Sequence, residues 1–119
     1  METISKNSEI KNLLKNGTAV HSSSFIFLFK KNNLNKPRFV FIASKKFSKK
    51  AVDRNRAKRL LREAIRQNYK AISNIPVDIA LIAKKSILKK KSHQVAKELK
   101  QILEKVFGNQ NEKSTDFIY

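Results

Sequence analysis

Apolar positions along this chain change their period several times, and each change predicts an element. Ile10, Leu13 and Leu14 fall at helical spacing within residues 5–15, and Lys15 followed by Gly17 marks a C-terminal stop, so a short first helix is expected. Two β-branched and aromatic runs, Phe25 to Phe29 and Phe39 to Ala43, flank the polar stretch "KKNNLNKP". They read as an antiparallel pair of strands, with a short strand near Thr18 to His21 before them and Pro37 at a strand entry. Ala57, Leu60, Leu61, Ala64, Ile65, Tyr69 and Ile72 then repeat at steps of three and four. That spacing predicts an amphipathic helix from about Asp53, its N-cap, to Tyr69.

Residues 77–83, "VDIALIA", follow Pro76 and read as a buried strand. Val95, Ala96, Leu99, Ile102, Leu103 and Val106 form the stripe of a last helix that Gly108 ends, and the polar tail 109–119 is expected to fray. The order helix, two or three strands, helix, strand, helix predicts an α+β fold, an α/β sandwich of one sheet with helices packed on it. One domain over residues 1–119, ordered from about 5 to 108, suits a chain whose 40% apolar content fills a single core.

Charge changes the picture more than length does. Against 9 acidic residues stand 27 Lys and Arg, a formal charge of +18, and self-repulsion of that size in a compact chain points to a polyanionic partner. Nucleic acid is favoured over a membrane surface, because no stretch approaches the roughly 20 apolar residues of a spanning helix and no lipidation signal frames the ends. Without an apolar leader segment and without cysteine, a reducing cytoplasm is the expected location.

Catalytic chemistry by the chain itself is disfavoured. The acids are scattered with no D-x-D or E-x-x-H cluster to hold a divalent ion, and no metal site or catalytic side chain is assigned. His21 and His93 stand alone, and two glycines cannot make a phosphate-cradling loop. Binding chemistry remains. Arg54, Lys58, Arg62 and Arg66 are spaced four apart on one helix, Arg56 and Arg59 flank them, and only Asp53 and Glu63, the latter within reach of Arg59 or Arg66, oppose them. Like charges at that spacing weaken an isolated helix, so a partner outside it should compensate. Arginine's planar fork suits phosphate and base contacts, while "KKFSKK" upstream, including Lys49 and Lys50, supplies point charges. "AKKSILKKK", residues 83–91, reads as a loop whose Lys89 and Lys90 add phosphate contacts, as Arg66 does on the helix. Both faces of the phenylalanine-rich strands are apolar, so helices are expected on both, or one face in part lines a groove for unpaired bases.

The stretch "ASKKFSKKAVDRNRAKRLLREAIR", with Arg54-Asn55-Arg56 at its centre, resembles the signature of the protein subunit of bacterial ribonuclease P. "LLKNGTAV", "PRFVFIASKK" and "VDIALIAKK" extend the likeness, which covers residues from about 8 to 107. The resemblance implies an αβββαβα order with one mixed sheet and a left-handed crossover around the basic helix, an exception to the usual right-handed rule. It also implies a protein that joins a catalytic RNA to remove 5′ leaders from precursor tRNA, with Mg²⁺ held mainly by the RNA. Contacts to the RNA subunit carry over onto Lys45, Lys46, Arg54, Asn55, Arg56 and Arg59. Leader contacts carry over onto Ile10, Leu14, Leu28, Lys58 and Arg62, aliphatic where many members place aromatics. No obligate protein partner is expected. A structural RNA-binding protein of the ribosomal kind is the rival reading, and a protein-only nuclease the third.

Overall fold

The computed structural model describes residues 1–108, so the expected fraying of 109–119 lies outside the described residues. Its elements are β1 (Glu2–Thr3), α1 (Asn7–Asn16), β2 (Thr18–His21), β3 (Phe25–Lys31), β4 (Arg38–Ile42), α2 (Ala51–Ile72), β5 (Val77–Ala83), a short 3₁₀ helix (Lys85–Lys89) and α3 (Ser92–Phe107). Five strands form one mixed sheet in the order β1-β4-β5-β3-β2. The strand at Glu2–Thr3 was not expected, and it brings the ordered region almost to the first residue, with Ile4 buried just beyond it.

The expected pairing of the two phenylalanine runs is incorrect. β5 lies between them, antiparallel to β3 and parallel to β4. Its sequence explains the placement, because Val77, Ile79, Ala80, Leu81 and Ala83 are all buried, and a strand apolar on both faces is most stable in the middle of a sheet. Residues 32–37 need only cross two strand spacings, roughly 10 Å, which is well within their reach. The Asn32 N–H donates to the Pro76 carbonyl at 2.9 Å where that loop passes the start of β5.

Strand alternation divides the core in two. Phe25, Phe27, Phe39, Ile79 and Leu81 face α2 and α3, and with Ala57, Leu61, Ile65, Val95 and Leu99 they make the main core. Leu28 and Ala80 point the other way, beneath α1, with Leu13 and Ile4. Burying Leu61 and Ile65 stabilises α2 by about 2 kcal/mol each, which outweighs like-charge repulsion of a few tenths of a kcal/mol per pair. Packing thus holds the basic helix without help from a partner.

Helix ends are set by local contacts. α2 begins at Ala51 rather than at Asp53, which sits in its first turn and accepts a hydrogen bond from Ser48 Oγ at 2.9 Å. A carboxylate there favours the helix dipole without being the N-cap. The Gly17 N–H closes α1 on the Leu13 carbonyl at 2.8 Å with an ordinary φ of −78°. A Cβ at Gly17 would stand 2.6 Å from that carbonyl oxygen and 3.0 Å from the Phe29 carbonyl oxygen, so close approach of α1 to β3 is what requires glycine.

Glu98 of α3 ties the β2–β3 turn to the helix layer. It accepts hydrogen bonds from Ser22 Oγ, from the Ser24 N–H at 3.1 Å and from Ser24 Oγ at 2.6 Å, and Lys90 Nζ lies 3.4 Å away. Burial pushes this carboxyl up, but those donors and the lysine outweigh it and leave it below the ordinary carboxylate value of 4.5. A depressed folded-state value means a stabilisation that is full above pH 4.5 and is lost as pH falls through the folded value. Thermal melts from about pH 6 to pH 3 should therefore show Glu98→Gln less stable than the parent at neutral pH and converging with it in acid. Parallel curves would show that Glu98 makes no pH-dependent contribution.

Candidate RNA interface

α2 returns antiparallel to β4, which places Tyr69 by Phe39, ring centroids 6.3 Å apart, and the Arg62 guanidinium carbon 5.1 Å from the centre of the Phe41 ring. The arginine is otherwise exposed, and the ring contact orients it at a gain of about 0.5–1 kcal/mol. Arg66 pairs with Glu63 at 3.0 Å, one of the two partners expected for that acid. Lys58 is half-buried between Arg54 and Arg62, while Asn55, Arg56 and Arg59 are exposed and have no hydrogen-bond or ion-pair partner among the described residues. Fixed by the helix backbone, Arg56 and Arg59 present two unneutralised positive charges on the surface, with the neutral amide of Asn55 beside them.

Arg54 differs from its neighbours. Its Nη1 donates to the Ser48 carbonyl at 2.8 Å, closing the segment 44–50 against the first turns of α2. Phe47, 6% exposed, anchors the middle of that segment in the main core, and Ser44 accepts backbone hydrogen bonds from Phe47 and Ser48. Lys45, Lys46, Lys49 and Lys50 are exposed on this closed segment.

Residues 85–89 are not the expected loop but a 3₁₀ helix, because Ile87 is fully buried and pins it to the core. Lys89 is exposed, whereas Lys90 is engaged by Glu98 and by Ser23 Oγ at 3.2 Å. Ile87 within "KKSILKKK" was the signal of an anchored turn.

Ile10, Leu14 and Leu28 lie on the opposite face of the sheet from Arg62 and Lys58. Ile10 packs on the cluster under α1, Leu28 is 6% exposed within it, and Leu14 is 42% exposed. Beside α1 the register sets His21, Ile26, Ile82 and Ile42 in a row across the sheet, the three isoleucines half-buried, with Val40 one step away. Sequence reasoning weighed His21 only as a lone histidine and did not single out Ile26, Val40, Ile42 or Ile82, although alternation with the phenylalanines already put Ile26, Val40 and Ile42 on the second face. β1 pairs β4 only at Arg38 and Phe39, so β4 from Val40 to Ile42 is an open edge that separates this apolar row from the Phe41–Arg62 contact. The residues expected at the leader therefore fall on two faces of the sheet, Ile10, Leu14 and Leu28 on the α1 side and Lys58 and Arg62 on the α2 side.

At the other end of β4 the charge is neutralised. Arg38 makes a two-pronged contact with Asp78, 3.0 Å from Nε to Oδ1 and 2.9 Å from Nη2 to Oδ2, and its Nη1 reaches Glu9 at 3.2 Å. The hydrogen bond to Asp78 raises the guanidinium's proton affinity above its ordinary value, against a smaller opposing effect of burial. Among the described residues no three carboxylate, imidazole or thiolate groups converge as metal ligands, and no helix is long and apolar enough to cross a membrane.

Comparisons with known proteins bear on the chain as a whole and on its fold. Residues 1–106 match the family model described as Ribonuclease P. A "Ribonuclease P protein component" from Fusobacterium nucleatum is 40% identical over 109 residues, covering 92% of this chain and 96% of that one. The solved structure of the RNase P protein from Thermotoga maritima superposes with a TM-score of 0.76 at 26% identity, covering 89% of this chain and 98% of the other. That of the Staphylococcus aureus RNase P protein gives 0.74 at 27%, covering 87% and 94%.

Proposed function

The chain belongs to the ribonuclease P protein family, and from that premise we infer that it is the protein subunit of a ribonucleoprotein that removes the 5′ leader of precursor tRNA. The single observation that carries its RNA-binding role is the pair of exposed, unpaired guanidiniums of Arg56 and Arg59, with Asn55 next to them, on the helix that follows the exposed lysines 45, 46, 49 and 50. In this proposal that surface, with Arg54 holding the lysine segment, binds the catalytic RNA. Arg66 and Lys89 add phosphate contacts, and Lys90 does so by exchanging Glu98 for a phosphate. The leader lies across the open edge of β4, with Lys58 and Arg62 on one face and Ile10 and exposed Leu14 of α1 toward the other, where Leu28, buried on β3 two strands in from that edge, forms the floor beneath α1.

The protein supplies positive charge where two RNA strands converge, and its side chains do not enter the bond-breaking step. Mg²⁺, assigned to the RNA, would supply the Lewis-acid chemistry at the scissile phosphate, with no side chain of this chain assigned to hold it. Precursor tRNA then binds more tightly than mature tRNA because only the precursor reaches the edge of β4. Function in the cytoplasm, where tRNA is processed, fits the absence of cysteine.

Five to eight phosphate contacts would give a slope of about −4 to −7 in log affinity against log salt, and a slope near zero would count against RNA binding through this surface. For Arg62→Ala the expected result is a drop of about three- to tenfold in the preference for precursor over mature tRNA, the worth of one exposed phosphate or base contact. Equal preference in the variant and the parent would remove Arg62 from the leader path.

A further inference from the structure

Between the segment 44–50 and the 3₁₀ helix lies a cleft of about 400 Å³, lined by Phe47, Ser48, Asp53, Lys85, Leu88 and Lys89, with Ser86 at its wall. Its walls are unlike the rest of the basic surface. Phe47 and Leu88 give it an apolar floor, and Lys85 and Lys89 stand exposed at its rim. Inside it is Asp53, an acid surrounded by lysines that pairs with none of them. Asp53 Oδ2 accepts from Ser48 Oγ, and Oδ1 has no hydrogen-bond partner among the described residues.

A carboxylate at the edge of a phosphate-binding surface repels the phosphates around it, so a ligand that tolerates Asp53 must bring hydrogen-bond donors to it. The apolar floor asks for a flat, weakly hydrated group, and the lysine rim asks for an anion next to it. An unstacked nucleotide meets all three requirements. Among the bases, guanine alone offers two adjacent donors, N1–H and the N2 amino group, in a fork that a carboxylate can accept. Adenine and cytosine present one amino group, and uracil's single N–H is flanked by carbonyls that the carboxylate would oppose.

We propose that this cleft receives an unstacked guanine of an RNA partner, with Asp53 on its Watson–Crick edge, Phe47 and Leu88 against its ring and Lys85 or Lys89 on its phosphate. The proposal rests on the RNA-subunit reading above and adds to it a base-specific contact outside both the arginine surface and the edge of β4.

The test is a titration of the full-length protein, followed by backbone amide NMR, with GMP, AMP, CMP, UMP and inorganic phosphate separately. Affinity of the same protein for a bacterial ribonuclease P RNA is measured in parallel. GMP should shift the amides of Ser48, Asp53, Ser86 and Leu88 and bind on the order of tenfold tighter than AMP, the discrimination of one two-pronged base contact. Asp53→Asn should abolish that preference, and Leu88→Ala, which leaves the Ser48–Asp53 bond alone, should weaken all four nucleotides together. The wild-type comparison of nucleotides decides the matter even if a variant fails to fold. Equal binding of all nucleotides, or shifts reproduced by phosphate alone, would overturn the guanine site. If the RNA binds tightly while GMP leaves the cleft unshifted, the guanine site is wrong and the RNA-subunit reading stands. If the RNA does not bind either, both fall.

Discussion

Replacing Arg56 and Arg59 together by alanine should weaken binding to ribonuclease P RNA on the order of a hundredfold and leave the melting temperature unchanged. Both guanidiniums are exposed and unpaired, so their removal takes nothing from the fold. Each lost charge-assisted contact to phosphate is worth about a factor of ten, and each should lower the salt slope by about one. Arg54→Ala offers an internal contrast. Its guanidinium holds the Ser48 carbonyl, so its loss should both weaken RNA binding and loosen the lysine segment, visible as faster amide exchange over residues 44–50. Filter binding across a salt series checks the double variant, and an unchanged slope would mean that the helix faces away from RNA.

The largest effect on stability is expected at the other end of β4. Asp78→Ala leaves the Arg38 guanidinium, only 16% exposed, with Glu9 as its sole remaining carboxylate, and it also takes the Asn32 side chain's 2.9 Å contact. Stranding a largely buried charge costs about 3 kcal/mol, less some relief from Glu9 and residual solvent, so the melting temperature should fall by roughly 10 °C. Arg38→Met combined with Asp78→Leu, which removes both charges, should recover much of that loss. Equal stability of Asp78→Ala and the parent in thermal denaturation would show that the pair is solvated and weak.

Much of this was legible from local pattern. β5 and α3 fall on the expected residues, and the arginine stripe needed only the four-residue spacing of a helix. What local pattern could not supply was long-range pairing. The runs at 25–29 and 39–43 are adjacent in sequence, but the strand between them lies more than thirty residues further on, and nothing in either run encodes its neighbour. Asp53 as N-cap failed for a related reason. The helix start is set by how Phe47 and the Ser48–Arg54 bond close the preceding segment, a contact across several residues rather than a preference of one. β1 offered two residues and no alternation, and only buried Ile4 hinted at it.

The division of the candidate leader site had the same origin. Strand alternation tells which side chains share a face but not which helix covers that face, so Leu28 and Arg62 could be named from the sequence without showing that a sheet lies between them. The open stretch of β4 from Val40 to Ile42, which joins the two sides, follows from β1 being only two residues long.

The most direct test is cleavage of a precursor tRNA's 5′ leader at low Mg²⁺ by this protein alone, by a bacterial ribonuclease P RNA alone, and by the two together. Efficient cleavage by the mixture alone is the predicted result. Cleavage by the protein alone, or a mixture no faster than the RNA, would contradict its role as the protein subunit of an RNA catalyst.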